Sequence, residues 1–268
     1  MSEVELITSF QLRVPQPSII IRDEYSPILL PGDSFNVSSV SFQELDKIHS
    51  ELRSRPSLGL VGFGGFNAVN AAKALSVKRL KKGGIKQALF ESSAPSRPLT
   101  LIPVAPAFCT DITSLTVVYD PGVPVYCVLF IEPEKVIVPI DLYKTRFEET
   151  KDSLRDLSPT LEGSTFEEYL RFCRSRAPAG LSVEFILSLT IAALGNTGIS
   201  EALRCVASAS RGEACADAKV AEKVALLVRR KIDHLVEHSW SFYMRFLVQW
   251  GVESRRELYS LYSTLFSR

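Results

Sequence analysis

The stretch SLGLVGFGGFNAVNAAKAL, residues 57–75, carries an apolar run through a glycine turn into an alanine-rich segment. A strand, a glycine turn and a helix in that order bring backbone N–H groups at a helix start close to a pyrophosphate. Gly62 and Gly64 fit the first two positions of G-x-G-x-x-G, and Asn67 stands at the third, where close helix–strand contact favours glycine or alanine. On this reading Gly62, Gly64 and Gly65 bind a nucleotide cofactor, and Glu91, after IKQALF taken as a second strand, meets its ribose. The same residues also suit a tight turn and a closely packed helix that hold no ligand.

Charge gives the stretch a second chemistry. Between Glu51 and Glu91 there is no acidic residue, while Arg53, Arg55, Lys73, Lys78, Arg79, Lys81, Lys82 and Lys86 all fall in that interval. In a chain of net charge +1 this is a local asymmetry, and it suits a polyphosphate backbone bound through counterion release, without base reading. Phe63 and Phe66 are the candidate stacking partners. The same patch could rest on an anionic membrane surface, and a solvated helix end explains it without any partner.

HLVEH at 234–238 matches H-x-x-E-H, in which two histidines one turn apart hold zinc and the glutamate acts as base. Helical spacing puts Lys231, His234, His238, Ser241 and Arg245 on one face, where fixed cations oppose a metal ion, so no metal site is expected. No nucleophile elbow, P-loop or paired-carboxylate signature is present, and no catalytic residue is assigned.

The elements that must position these residues change character along the chain. PSIIIRD and SPILLPGDS suggest short strands, and Ser41 with Glu44 has capping-box spacing ahead of a helix. KQALFES, PLTLIPV, SLTVVYD, VPVYCVLFIEP and KVIVPIDLY read as successive strands, with YDPGVP as a hairpin turn. From about residue 145 the period becomes helical. Thr165 with Glu168 forms a capping box, Ser182 caps VEFILSLTIAAL, and a long helix from about 214 ends at Gly251 before SRRELYSLYSTLF. The expected fold is therefore α+β: a mixed, mainly antiparallel β-rich domain over 1–144 and an all-helical domain over 145–268.

With 268 residues, 46% hydrophobic and 23% charged, the chain is globular. Five widely spaced cysteines without a CxxC pair read as reduced thiols. Glu3 and Glu5 oppose a secretory signal and no run is long enough to span a bilayer, so a cytoplasmic location is expected. The aromatic C-terminal segment, together with VNAAKALSVKRLKK, is similar to nucleocapsid proteins of segmented negative-strand RNA viruses over a minor part of the chain. That similarity implies RNA binding with self-assembly.

The leading expectation is a non-enzymatic, sequence-nonspecific RNA-binding protein of nucleocapsid, matrix or movement type. It needs no cofactor and assembles as a homo-oligomer through its C-terminal helices. The alternatives are a nucleotide- or dinucleotide-binding enzyme using the Gly62–Gly64 turn, and a structural or regulatory interaction module.

Overall fold

A computed structural model describes residues 3–27, 30–55, 57–77, 84–91, 95–154, 165–176 and 182–266. The chain divides into two compact units. Unit 1 comprises Met1–Pro121, Cys127–Lys151 and Thr165–Pro178; unit 2 comprises Gly122–Tyr126, Asp152–Ser164 and Ala179–Arg268.

Unit 1 is built on β1 (Glu3–Ile7), β2 (Ser18–Arg22), β3 (Ser34–Asn36), β4 (Gly59–Gly64), β5 (Leu99–Pro103) and β8 (Lys135–Pro139). They form one six-stranded sheet in the order β1-β8-β5-β4-β2-β3, and every neighbouring pair is parallel. Helices α1 (Phe42–Glu51), α2 (Phe66–Ser76), α3 (Ile85–Glu91), α4 (Ile140–Leu154) and α5 (Phe166–Arg176) accompany it. Ile19, Ile20 and Ile21 are all fully buried, as is the run through β4, because a parallel strand covered on both faces has no solvent side to keep polar.

The expected mainly antiparallel fold is thus corrected to a parallel α/β sheet. The misreading has a local cause. Between β5 and β8 the chain makes an excursion through β6 (Leu115–Asp120) and β7 (Val125–Phe130), which pair with each other in a separate two-stranded sheet. A hairpin stands where a crossover helix would announce a parallel connection. KQALFES is also corrected, from strand to helix α3: Ile85, Ala88 and Leu89 are buried at i, i+3 and i+4.

Unit 2 holds α6 (Val183–Gly195), α7 (Ile199–Ser210), α8 (Ala218–Gln249) and α9 (Arg255–Phe266). Ser182 caps α6 as its spacing requires, its hydroxyl accepting from the Phe185 N–H at 3.2 Å. The interior carries one polar chain: the hydroxyls of Thr190 and Ser239 lie 2.7 Å apart, and that of Ser239 lies 2.9 Å from Tyr262 OH.

The cysteines do not all remain thiols. Cys109 pairs with Cys173 and Cys205 with Cys215, and Cys127 is free. Sequence separations of 64 and 10 carry no CxxC signal, so the pairing comes from tertiary proximity. No described helix is long and apolar enough to cross a membrane.

Candidate nucleotide site

Chain order reverses beside β2: β3 is added on one side and β4 on the other. In open parallel sheets the crevice at such a switch point, beyond the carboxyl ends of the strands, is where ligands bind. Here those ends are Arg22–Asp23 after β2 and Gly64–Gly65 after β4.

Asp23 is 8% exposed, and its carboxylate reaches across to the start of α2. Oδ1 and Oδ2 each lie 3.0 Å from the Gly65 nitrogen, and Oδ2 also accepts from the Ala68 N–H at 3.0 Å. Oδ1 accepts from the Tyr25 N–H at 3.1 Å, which closes a turn after β2. Ser26 ties that turn to β4 by donating its hydroxyl to the Phe63 carbonyl at 2.6 Å. Burial pushes the Asp23 pKa above the ordinary carboxylate value, and the N–H groups of Gly65, Ala68 and Tyr25 pull it back by favouring the ionised form.

This arrangement explains the glycines. Gly64 has φ +151°, and a Cβ there would collide with the Asp23 carboxylate and with the Ala68 methyl. A Cβ on Gly62 would lie 2.9 Å from the Ala72 Cβ, so that glycine lets α2 lie close against β4. Gly65 is the N-cap of α2 and supplies an N–H to Asp23. Of the first N–H groups of α2, Asp23 engages that of Ala68, and those of Phe66 and Asn67 come just before it. Asn67 turns its side chain away and donates to the Ser38 carbonyl, beyond β3, at 3.1 Å.

Farther along α2, Asn70 and Lys73 fasten the segment that follows β5. Asn70 donates to Thr110 Oγ1 at 2.9 Å and accepts from the Val117 N–H at 2.8 Å. Lys73 is fully buried; its ammonium donates to the carbonyls of Thr110, of Thr113 at 2.5 Å and of Leu115 at 2.7 Å. Burial draws the Lys73 pKa down to about 7. In the same segment buried Asp111 accepts from Tyr143 OH and from Tyr169 OH, the latter at 3.0 Å.

Of the cations read as a nucleic-acid surface, Lys73 points into the core of unit 1. Arg55 pairs with Asp33, and Lys86 lies 2.5 Å from Asp120. Arg53 falls in a short 3-10 turn after α1. Lys78, Arg79, Lys81 and Lys82 lie outside the described residues. Glu91 ends helix α3 rather than a strand. The acid beside the glycine turn is Asp23; the apolar run Ile19–Ile21, ended by Arg22 and Asp23, was its signal.

No protein-family model matches the sequence, and no curated protein matches it. Solved structures do. An iron-containing alcohol dehydrogenase from Thermotoga maritima aligns with a TM-score of 0.62 at 11% identity, over 100% of this chain and 98% of that one. A sulfoacetaldehyde reductase from Bifidobacterium kashiwanohense in complex with NAD+ aligns at 0.60 and 12%, over 99% and 97%. A probable glycerol dehydrogenase from Sinorhizobium meliloti aligns at 0.54 and 12%, over 99% and 96%. At these identities the likeness is one of fold.

That likeness overturns the expectation of a non-enzymatic, viral-type RNA-binding protein, together with its RNA or polyanion partner. The physical reason is local: of the described cations in the acid-free interval, Lys73 is buried in the core and Arg55 and Lys86 are ion-paired.

The iron named for the first of these structures requires several imidazole or carboxylate donors converging on one point. Among the described residues no three His, Cys, Asp or Glu side chains form such a group, so the residues present do not fit that ion. A dinucleotide is a different case. A helix start with backbone donors, a glycine without Cβ and a carboxylate at the neighbouring strand end are the groups it uses.

Proposed function

We propose that this chain is a dinucleotide-binding oxidoreductase that takes a nicotinamide cofactor at the carboxyl ends of β2 and β4 in unit 1. The observation that carries the reading is the coincidence of the sheet's switch point with the Asp23–Gly65 contact and the start of α2. The fold shared with dehydrogenases and reductases, one of them in complex with NAD+, supports it.

The N–H groups of Phe66 and Asn67, at the positive end of α2, meet the pyrophosphate. Gly64 leaves room for the Asp23 carboxylate against the start of α2. Asp23 holds the N–H groups of Gly65, Ala68 and Tyr25 and so fixes the turn beside which the ribose lies. An ionised carboxylate there repels a 2′-phosphate, so NAD+ is preferred to NADP+. Gly62, Gly64 and Gly65 thus serve the site through backbone shape.

When bound, the nicotinamide supplies hydride chemistry. The likeness to an alcohol dehydrogenase, a sulfoacetaldehyde reductase and a probable glycerol dehydrogenase supports a small alcohol or aldehyde as the second substrate.

The test is differential scanning fluorimetry and calorimetry of the full chain with NAD+, NADP+ and ADP-ribose. Stabilisation by NAD+ and ADP-ribose exceeding that by NADP+ is expected. Equal indifference to all three would remove the proposal.

A further inference from the structure

We propose that this protein works without a metal ion, unlike the iron-containing dehydrogenase whose fold it shares. The inference rests on the oxidoreductase reading for the activity alone; the absence of a metal stands on the donor set.

An iron or zinc centre in a protein is built from three or more converging imidazole, thiolate or carboxylate ligands. The chain has three histidines in all. His49 lies on α1 in unit 1 and is 2% exposed. His234 and His238 lie one turn apart on α8 in unit 2. Two imidazoles are therefore the most that either unit can bring to a site of its own.

HLVEH is the arrangement with the greatest claim to metal, and its parts are engaged elsewhere. His238 Nε2 lies 3.0 Å from the Pro124 carbonyl oxygen, which can only accept, so that nitrogen carries the proton. The lone pair is then on Nδ1, which is buried with no hydrogen-bond partner; the imidazole packs against the Phe242 and Tyr243 rings, with centroids at 4.8 and 6.3 Å. One inward nitrogen among aromatic rings does not make a metal site.

Glu237, the carboxylate of the motif, accepts from Arg255 Nε at 2.8 Å and Nη2 at 3.2 Å, and from the Ser241 hydroxyl at 3.2 Å. Its charge is matched by a guanidinium instead of a cation held between histidines. Moving it onto a metal would break that bidentate pair.

The experiment uses the full-length protein from cells grown with added iron and zinc. Metal per chain is measured by plasma mass spectrometry. Tm is recorded with EDTA, Fe2+ and Zn2+, and NAD+ is titrated calorimetrically in EDTA. Metal far below one ion per chain, a Tm that neither metal nor chelator moves, and an NAD+ affinity changed less than about twofold by EDTA are expected. One ion retained per chain, with a Tm that falls on chelation, overturns the inference. A metal-free, chelator-indifferent protein that ignores NAD+ supports it and counts against the dinucleotide reading alone.

Discussion

Both carboxylate oxygens of Asp23 lie 3.0 Å from the backbone nitrogen of Gly65, forty-two residues away in sequence. The contact joins the ends of two adjacent parallel strands and places a negative charge at the start of α2. It also sets what the glycine turn can tolerate.

Gly64→Ala is expected to destabilise unit 1 strongly. Two costs add: an L-residue at φ +151°, about 1–3 kcal/mol, and displacement of a buried carboxylate from its N–H partners, roughly 1–3 kcal/mol more. Gly251→Ala is the control. Its φ is +78°, but no atom lies within 4 Å of the added Cβ, so only the backbone penalty applies. Urea unfolding of the two variants separates collision from strain; equal losses would mean that Asp23 is not where the structure has it.

Asp23→Ala should lower NAD+ affinity about tenfold, because the turn and the start of α2 lose the carboxylate that holds their N–H groups. NADP+ should lose less, because the repulsion of its 2′-phosphate disappears with the carboxylate. The ratio of the two affinities is the readout, since a general loss of fold would lower both alike.

Lys73 gives stability a pH dependence. Its pKa is about 7 in the folded chain, against an ordinary value of 10.5. Between those values the unfolded chain binds more protons, so this group makes unfolding free energy rise with pH from about 7 to about 10.5. Lys73→Met should abolish that part of the slope. It should also cost about 3–5 kcal/mol by leaving the carbonyls of Thr110, Thr113 and Leu115 without their donor. Denaturant titrations at pH 7 and pH 9 on both proteins check the sign.

The two disulfides should differ in weight. Cys109–Cys173 closes a loop of 64 residues and Cys205–Cys215 one of 10. Chain entropy assigns them about 4 and about 3 kcal/mol. Cys173→Ala is thus expected to lower Tm more than Cys215→Ala, and a reversed order would show that loop closure is not the dominant contribution.

Local chemistry made much of the secondary structure legible. Ser41 and Glu44, Thr165 and Glu168, and Ser182 all cap helices at their expected places. Sheet order was not legible, because pairing between β4 and β5 or β8 and β1 depends on segments remote in sequence, and the β6–β7 hairpin imitates an antiparallel meander. Lys73 was misjudged by averaging charge over an interval. Its own neighbours, Ala71, Ala72, Ala74 and Leu75, are small or apolar and α2 is buried from Ala68 to Ser76, so its lysine has only the core to enter. Asp23 was missed because its distant partners, Gly65 and Ala68, lie at the start of α2, where spacing rules do not reach.

Whether unit 1 takes a dinucleotide is decided by calorimetric titration of the full chain with NAD+, run beside the Asp23→Ala variant. Saturable one-to-one binding that weakens about tenfold in the variant is the expected result. No binding of NAD+, or binding that is the same with and without the Asp23 carboxylate, would contradict the placement of the nucleotide at the junction of β2 and β4.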